Sequence, residues 1–185
     1  MNKIKRILGV DPGTNIMGYA LIEIEQGNIE IKCLDILKMK ASLDQPEKLK
    51  EIFERIQLLI GEYKPEEMAI EAPFYSKNVQ SMLKLGRAQG VCIAAAMNCG
   101  VSIWEYSPKK IKQSITGNGN ASKEQVASML QTIVKQPFDS RHLDATDALA
   151  TAICHHFQNR FEATQGKKHK DWKSFLTENP EKKSS

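Results

Sequence analysis

The first 37 residues carry three apolar stretches joined by short turns, and this limits the fold more than any other feature of the chain. Residues 4–11, Ile-Lys-Arg-Ile-Leu-Gly-Val-Asp, read as a strand broken by Pro12-Gly13, a pair that punctuates turns. Residues 17–25 alternate apolar and polar and make a second strand. Gln26-Gly27-Asn28 then turns the chain into a third strand over residues 29–37. Connections this short permit only antiparallel neighbours, so the chain opens with a three-stranded meander.

Beyond the meander the apolar period lengthens. From Asp44 to Tyr63, Leu49, Ile52, Phe53, Ile56, Leu59 and Ile60 recur at helical spacing opposite a charged face. Met68–Glu71 is a short buried strand, and Val79–Asn98 is a helix rich in Ala and Gly, closed by Gly100. Val101–Tyr106 is a fifth strand, and Ser107-Pro108 opens a short helix with proline at its first position. The loop Gly117-Asn118-Gly119-Asn120 comes next; Ser122 with Gln125 then forms a capping box for a helix to about Val134. A last helix is expected from Arg141 to His156. The order β-β-β-α-β-α-β-α-α-α predicts an α/β fold. Its mixed five-stranded sheet, a meander and then βαβ crossovers, is flanked by helices in the layout of ribonuclease H-like folds.

A chain of 185 residues suits one domain, assigned to residues 1–159, with the polar, lysine-rich stretch 160–185 expected to be a disordered tail. No run approaches the roughly 18 apolar residues that span a bilayer. The basic start Met1–Arg6 is followed within a short apolar run by Asp11, a poor signal peptide, so a cytoplasmic protein away from membranes is expected. Cys33, Cys92, Cys99 and Cys154 include no C-x-x-C pair and read as reduced, mostly buried thiols rather than a zinc site.

Charge is unevenly distributed. Residues 1–71 hold 13 acids, whereas residues 72–123 hold only Glu105 against Lys77, Lys84, Arg87, Lys109, Lys110, Lys112 and Lys123. A basic stretch beside an acidic half suits a polyanion, although each lysine taken alone is also an ordinary solvated side chain. Lys112 and Lys123 flank the Gly/Asn loop, a placement fit for phosphate contact. Phe74 and Tyr75, in a turn just past Glu71, are placed to wedge into or stack on bases, or else to roof the core.

The acids that end apolar elements carry the chemistry. Asp11 follows Ile7-Leu8-Gly9-Val10, and Glu71 follows Met68-Ala69-Ile70. Asp144 and Asp147 sit one turn apart in His-Leu-Asp-Ala-Thr-Asp-Ala-Leu-Ala, on one helix face. A carboxylate beside an apolar strand needs a cation or hydrogen bonds, and neither strand supplies a basic residue next to its acid. Gathered together, the four would repel and take up protons unless a divalent cation lay among them. Each has a plainer reading: Asp11 before Pro-Gly as a turn former, Glu71 as a strand-end acid, and Asp144 or Asp147 as partners of a helix dipole. His142, His155 and His156 are candidate ligands, although the His155-His156 pair at a helix end reads more readily as surface, and Trp104 reads as core.

These residues resemble the RuvC family of Holliday junction resolvases. Val10-Asp11-Pro12-Gly13-Thr14 with Gly18-Tyr19 resembles the family's opening, and Ala69-Ile70-Glu71 with Phe74 and Lys77-Asn78 its second motif. Leu83-Lys84-Leu85-Gly86-Arg87-Ala88-Gln89-Gly90-Val91 is similar to its central helix. Asp144-Ala145-Thr146-Asp147-Ala148-Leu149-Ala150 is similar to its C-terminal acidic motif. Any one motif is weak, but the ordered set spans residues 4–157. The resemblance implies a ribonuclease H-like nuclease domain, a homodimer, and paired symmetrical nicks in four-way junction DNA during recombination and repair. It also implies partnership with the RuvA–RuvB branch-migration complex.

The same resemblance implies Asp11, Glu71, Asp144 and Asp147 as catalytic and metal-binding carboxylates, with Phe74, Lys77, Arg87, Lys112 and Lys123 as DNA contacts. Mg2+ is the implied cofactor, two per site and about 4 Å apart, with Mn2+ as a substitute. Asp11 would bridge the pair, and the products would be a 5′-phosphate and a 3′-hydroxyl. Some relatives carry a histidine where this chain has Asp144. Gly86, Gly90, Ala94 and Ala95 would let helices approach across the dimer, or else pack within the protomer.

Three other readings stand beside this one. An Asp-x-Gly-Thr turn also holds phosphate in ATP-binding proteins of the actin and sugar-kinase type, although this chain is short for two such lobes. A non-catalytic junction-binding module would use the lysines and leave the acids as caps. Another ribonuclease H-like nuclease would cut an RNA–DNA hybrid.

Overall fold

The computed structural model describes residues 4–73, 78–138 and 143–164, with side chains described to Asn159. Strands β1 (Lys5–Asp11), β2 (Ile16–Glu25) and β3 (Asn28–Lys38) form the expected antiparallel meander. Gln26 and Gly27 both take positive φ, 51° and 83°, which makes the β2–β3 turn tight. Helix α1 (Gln45–Tyr63) then leads to β4 (Glu67–Glu71), and α2 (Val79–Asn98) to β5 (Ser102–Tyr106). Both β4 and β5 lie parallel to β1, giving a mixed sheet in the order β3-β2-β1-β4-β5.

Helix starts follow their caps. Asp44 and Glu47 form a reciprocal capping box at α1, and Ser122 and Gln125 form the expected one at α4 (Lys123–Val134). Ser107 caps α3 (Pro108–Thr116), which Gly117 ends at φ 77°. The last helix, α5, spans Leu143–Thr164 and so continues well past the expected end at His156. Its sequence holds no glycine or proline to stop it. Phe157 packs on the core beneath, while Gln158 and Asn159 bond to Ser114 and Glu67.

The sheet separates two cores. On one face Leu8, Val10, Met68 and Ile70 pack against α1 and α2 through Ile52, Ile56, Ala88, Cys92 and Ala96. On the other, Ile7, Ala20 and Ala69 pack against α5, which α3 and α4 cover in turn through Ile111, Ile115, Val126 and Leu130. Helix α5 is therefore buried on almost every side, consistent with its near-continuous run of apolar residues from Ala145 to Cys154. Two sequence expectations change here. Cys99 is exposed although all four cysteines are free, and His155, read as a surface residue, is completely buried. No helix among the described residues is long and apolar enough to cross a membrane.

Candidate functional site

Strand alternation sends Ile7, Gly9 and Asp11 of β1, and Glu67, Ala69 and Glu71 of β4, toward α5. Asp11 and Glu71 stand at the carboxyl ends of adjacent parallel strands, where the apolar run stops and a cleft begins. Helix α5 runs back across this end, and its approach is closer than any side chain would allow. A Cβ on Gly18 would lie 1.9 Å from the Asp144 carbonyl oxygen, and one on Gly9 would lie 2.1 Å from that of Ala148. The two glycines seat the first turns of α5 directly on the sheet backbone.

The result is a cluster. Carboxylate oxygens of Asp11, Asp144 and Asp147 lie within 4.8 Å of one another. Glu71 falls outside that radius but lines the same cleft of about 210 Å³, with Asp11, Pro12, Gly13, Leu85 and Asp144. Lys123, at the start of α4, places its ammonium 2.5 Å from Asp147 Oδ2. Helix α3 brings Lys112 near enough for its charge to favour the ionised forms of Glu71 and Asp147.

The electrostatics are those of too many acids in too little water. Asp11 is pushed up to about 8 by burial first, then by the charges of Glu71, Asp147 and Asp144. Glu71 rises to about 7, again by burial first and then by Asp147, with Lys123 and Lys112 opposing. Asp147 is raised by burial against the pull of Lys123. Burial works against the charge of Lys123, but Asp147, Asp11 and Asp144 together hold its pKa above the ordinary lysine value.

Protonation is one way to relieve this crowding, and a multivalent cation is the other. The donor set is all oxygen, three or four carboxylates opening on a solvent-accessible cleft, and fits a hard divalent ion rather than a soft one. One lysine neutralises only part of the cluster, which leaves the remaining charge for such an ion to balance.

The structure thus brings Asp11, Glu71, Asp144, Asp147, Lys112 and Lys123 to one end of the sheet. Arg87 is an exposed residue of α2, the helix whose Leu85 lines the cleft. Phe74, Tyr75, Lys77 and His142 lie outside the described residues. Sequence reading missed two supporting features, the glycine seat and a buried polar network around His155. The latter left a signal: Asp144, Asp147, Thr151 and His155 follow helical spacing on one stripe, so the histidine shares the sheet-facing side of the acids.

Comparison with known proteins agrees with this geometry. Residues 7–155 match the family model described as crossover junction endodeoxyribonuclease RuvC. A RuvC of Cytophaga hutchinsonii is 56% identical over 176 residues, 95% of this chain and 86% of that relative. One of Christiangramia forsetii is 53% identical over 176 residues, 95% of this chain and 91% of that relative. The structure of T. thermophilus RuvC in complex with a Holliday junction substrate superposes with a TM-score of 0.80 at 28% identity, covering 85% of this chain and 96% of the other. With the carboxylate cluster and the mixed sheet both in place, the chain belongs to the RuvC family of crossover junction endodeoxyribonucleases.

Proposed function

We propose that this chain cuts four-way junction DNA by paired hydrolytic nicks, with Asp11, Glu71, Asp144 and Asp147 holding divalent cations at the scissile phosphate. The observation that carries the reading is the convergence of Asp11 with Asp144 and Asp147, from elements more than 130 residues apart in sequence, on one half-buried locus. Magnesium is the ion of choice, because it accepts one or two carboxylates and completes its shell with water and phosphate oxygens. A bound pair of such ions supplies an acidified water and charge neutralisation at the leaving oxygen.

The protein's own groups do the rest. Asp11 and Glu71 are fixed on strand ends and Asp144 and Asp147 on a helix seated against those strands, so the donors are preorganised. Lys112 and Lys123 draw the phosphodiester anion toward the acids, which would otherwise repel it. Lys123 also holds Asp147 in place before DNA arrives.

Helix α2 offers the surface for a dimer. Val79, Leu83, Gly86, Gly90, Ala94 and Met97 form one stripe at helical spacing, and Val79, Leu83 and Met97 remain about half or more exposed. A Cβ at Gly86 or Gly90 would meet nothing within 4 Å. Ala95, by contrast, is buried inside the protomer, so only part of the small-residue set faces outward. A second copy packed along this stripe would set two active sites against the near two-fold symmetry of a junction.

The crowded, half-buried carboxylates disfavour a module that merely binds, and the described residues form one five-stranded sheet with no second lobe for nucleotide among them. The test is cleavage of a synthetic four-way junction with magnesium, using wild type and Asp11→Asn, beside duplex and RNA–DNA hybrid. Paired nicks in the junction alone, lost in the variant, support the proposal. Preferential cutting of the hybrid, or retained cutting in the variant, overturns it.

A further inference from the structure

The end of α5 remote from the cluster holds a second set of polar groups that the proposed chemistry does not use. His155 is fully buried, with Nδ1 at 2.7 Å from the Tyr106 hydroxyl and Nε2 at 2.9 Å from Glu67 Oε2. A carboxylate oxygen accepts from Nε2–H, and in the neutral imidazole that tautomer leaves Nδ1 to accept from the Tyr106 hydroxyl. The same Glu67 oxygen also receives Lys5 Nζ at 2.6 Å and Asn159 Nδ2 at 3.2 Å. The Trp104 ring, 4.5 Å from the imidazole between centroids, packs against it.

These groups come from β1, β4, β5 and α5. Three of those elements carry the carboxylates of the site: Asp11 on β1, Glu71 on β4, and Asp144 with Asp147 on α5. The spacing matches as well. From Glu67 to Glu71 the strand advances four residues, about 13 Å. From His155 back to Asp147 the helix retreats eight residues, about 12 Å. Helix and strand run in opposite senses, so a bond fixed at His155–Glu67 sets the register in which Asp147 meets Glu71. Between these two ends Ala148 and Ala152 lie over Gly9, a close contact that sets the depth of α5 on the sheet, while Ile7, Leu149 and Ile153 fill the core around it without directional bonds. Directional bonds to a buried imidazole specify the register well.

We infer that His155, clamped between Glu67 and Tyr106, is a positioning residue that sets the axial register of α5 and hence the spacing of the acidic cluster. The inference rests on the assignment of that cluster as the cleavage site. Loss of the clamp leaves the fold and the DNA surface in place but loosens the cluster, so it acts on the cutting step and on cation affinity rather than on junction binding.

The experiment compares wild type, His155→Leu, His155→Gln, Tyr106→Phe and Glu67→Gln, each at a temperature well below its own unfolding midpoint. Three quantities are read: junction Kd without catalytic metal, single-turnover cleavage rate at saturating enzyme, and the Mn2+ concentration that half-saturates a thermal shift without DNA. His155→Leu should bind junctions within twofold of wild type, cut at least tenfold more slowly, and need several-fold more Mn2+. His155→Gln, which can still donate to Glu67, should recover most of the rate. Should His155→Leu fail to fold, Tyr106→Phe and Glu67→Gln carry the test, each expected to slow cutting several-fold at unchanged Kd. Folded variants that cut within twofold of wild type overturn the inference, as does a parallel loss of binding and cutting. A wild type that leaves junctions intact would instead sink the cleavage-site assignment, so the two failures are distinct.

Discussion

Gly18 on β2 lies directly beneath the backbone of Asp144, so closely that a Cβ there would stand 1.9 Å from its carbonyl oxygen. The helix bearing two acids of the cluster therefore rests on main chain. Gly18→Ala cannot be absorbed by a side-chain rotation, because the obstructing atoms are backbone. It should destabilise the protein by about 2–3 kcal/mol through overpacking. It should also lower junction cleavage more than a hundredfold by lifting Asp144 and Asp147 off Asp11. Denaturant unfolding and single-turnover cleavage check both, and near-normal cutting would show that the close approach is dispensable.

The acids themselves should separate binding from chemistry. Asp11→Asn, Glu71→Gln, Asp144→Asn and Asp147→Asn each remove one ionisable carboxylate of the cluster while keeping shape, so junction affinity should hold, or improve where an ionised acid repelled phosphate. Cleavage should be abolished. Turnover within tenfold of wild type for any one of them would remove that residue from the cluster's proposed role.

The pKa values of Asp11, about 8, and Glu71, about 7, make a statement about stability in the absence of metal. Both are raised above the ordinary carboxylate value, so the folded protein binds these protons more tightly than the unfolded chain. Stability is then full below about pH 4 for these groups and is lost as pH rises through about 7 to 8. Metal-free protein should unfold at a lower temperature at pH 8.5 than at pH 6, with Asp11→Asn flattening the difference. Cation binding at pH 7 should release on the order of one proton, seen as calorimetric heats that change with buffer ionisation enthalpy. Buffer-independent heats would mean the acids are already ionised.

How much of this was legible in the sequence depends on the kind of signal. The meander, the crossovers and the caps at Ser107 and Ser122 are local, so periodicity and turn residues revealed them. Asp11, Glu71, Asp144 and Asp147 stood out because each interrupts an apolar run, and the order of their motifs supplied the family. The end of α5 was misjudged because adjacent histidines look solvent-facing, and only the packed structure shows that His155 has Glu67 and Tyr106 to meet. Gly9 and Gly18 gave no sign of their importance, since a close approach between strand and helix depends on both partners. Lys123 was singled out by its place beside the Gly/Asn loop and by the family resemblance, but its ion pair with Asp147 joins α4 to α5, a pairing that the sequence does not display.

That ion pair shapes the salt dependence of binding. Lys123 is half exposed and pairs with Asp147, Lys112 is partly exposed and acts on Glu71 and Asp147 through its charge, and each phosphate contact such a lysine makes releases about 0.9 counterion on duplex DNA. Lys112→Ala should reduce the slope of log affinity against log salt by about one. Lys123→Ala should do the same and also free Asp147, deepening the repulsion between cluster and phosphate, so its loss of affinity in low metal should be the larger. Unaltered slopes would return both lysines to ordinary surface.

The proposed dimer makes the last prediction. Leu83 and Met97 are 49% and 64% exposed on the α2 stripe, on either side of Gly86 and Gly90, and a partner helix packed there would bury both. Leu83→Glu or Met97→Glu would place a charge in that contact, which costs far more in an interface than on a solvated helix. Because neither side chain packs into the protomer core, the monomer should remain folded, with an unfolding temperature close to that of wild type. Sedimentation should then report a single chain, and junction cleavage should give scattered single nicks in place of paired symmetrical ones. If both variants still sediment as dimers and cut in pairs, the copies associate through another face, and the exposed stripe on α2 has some other use.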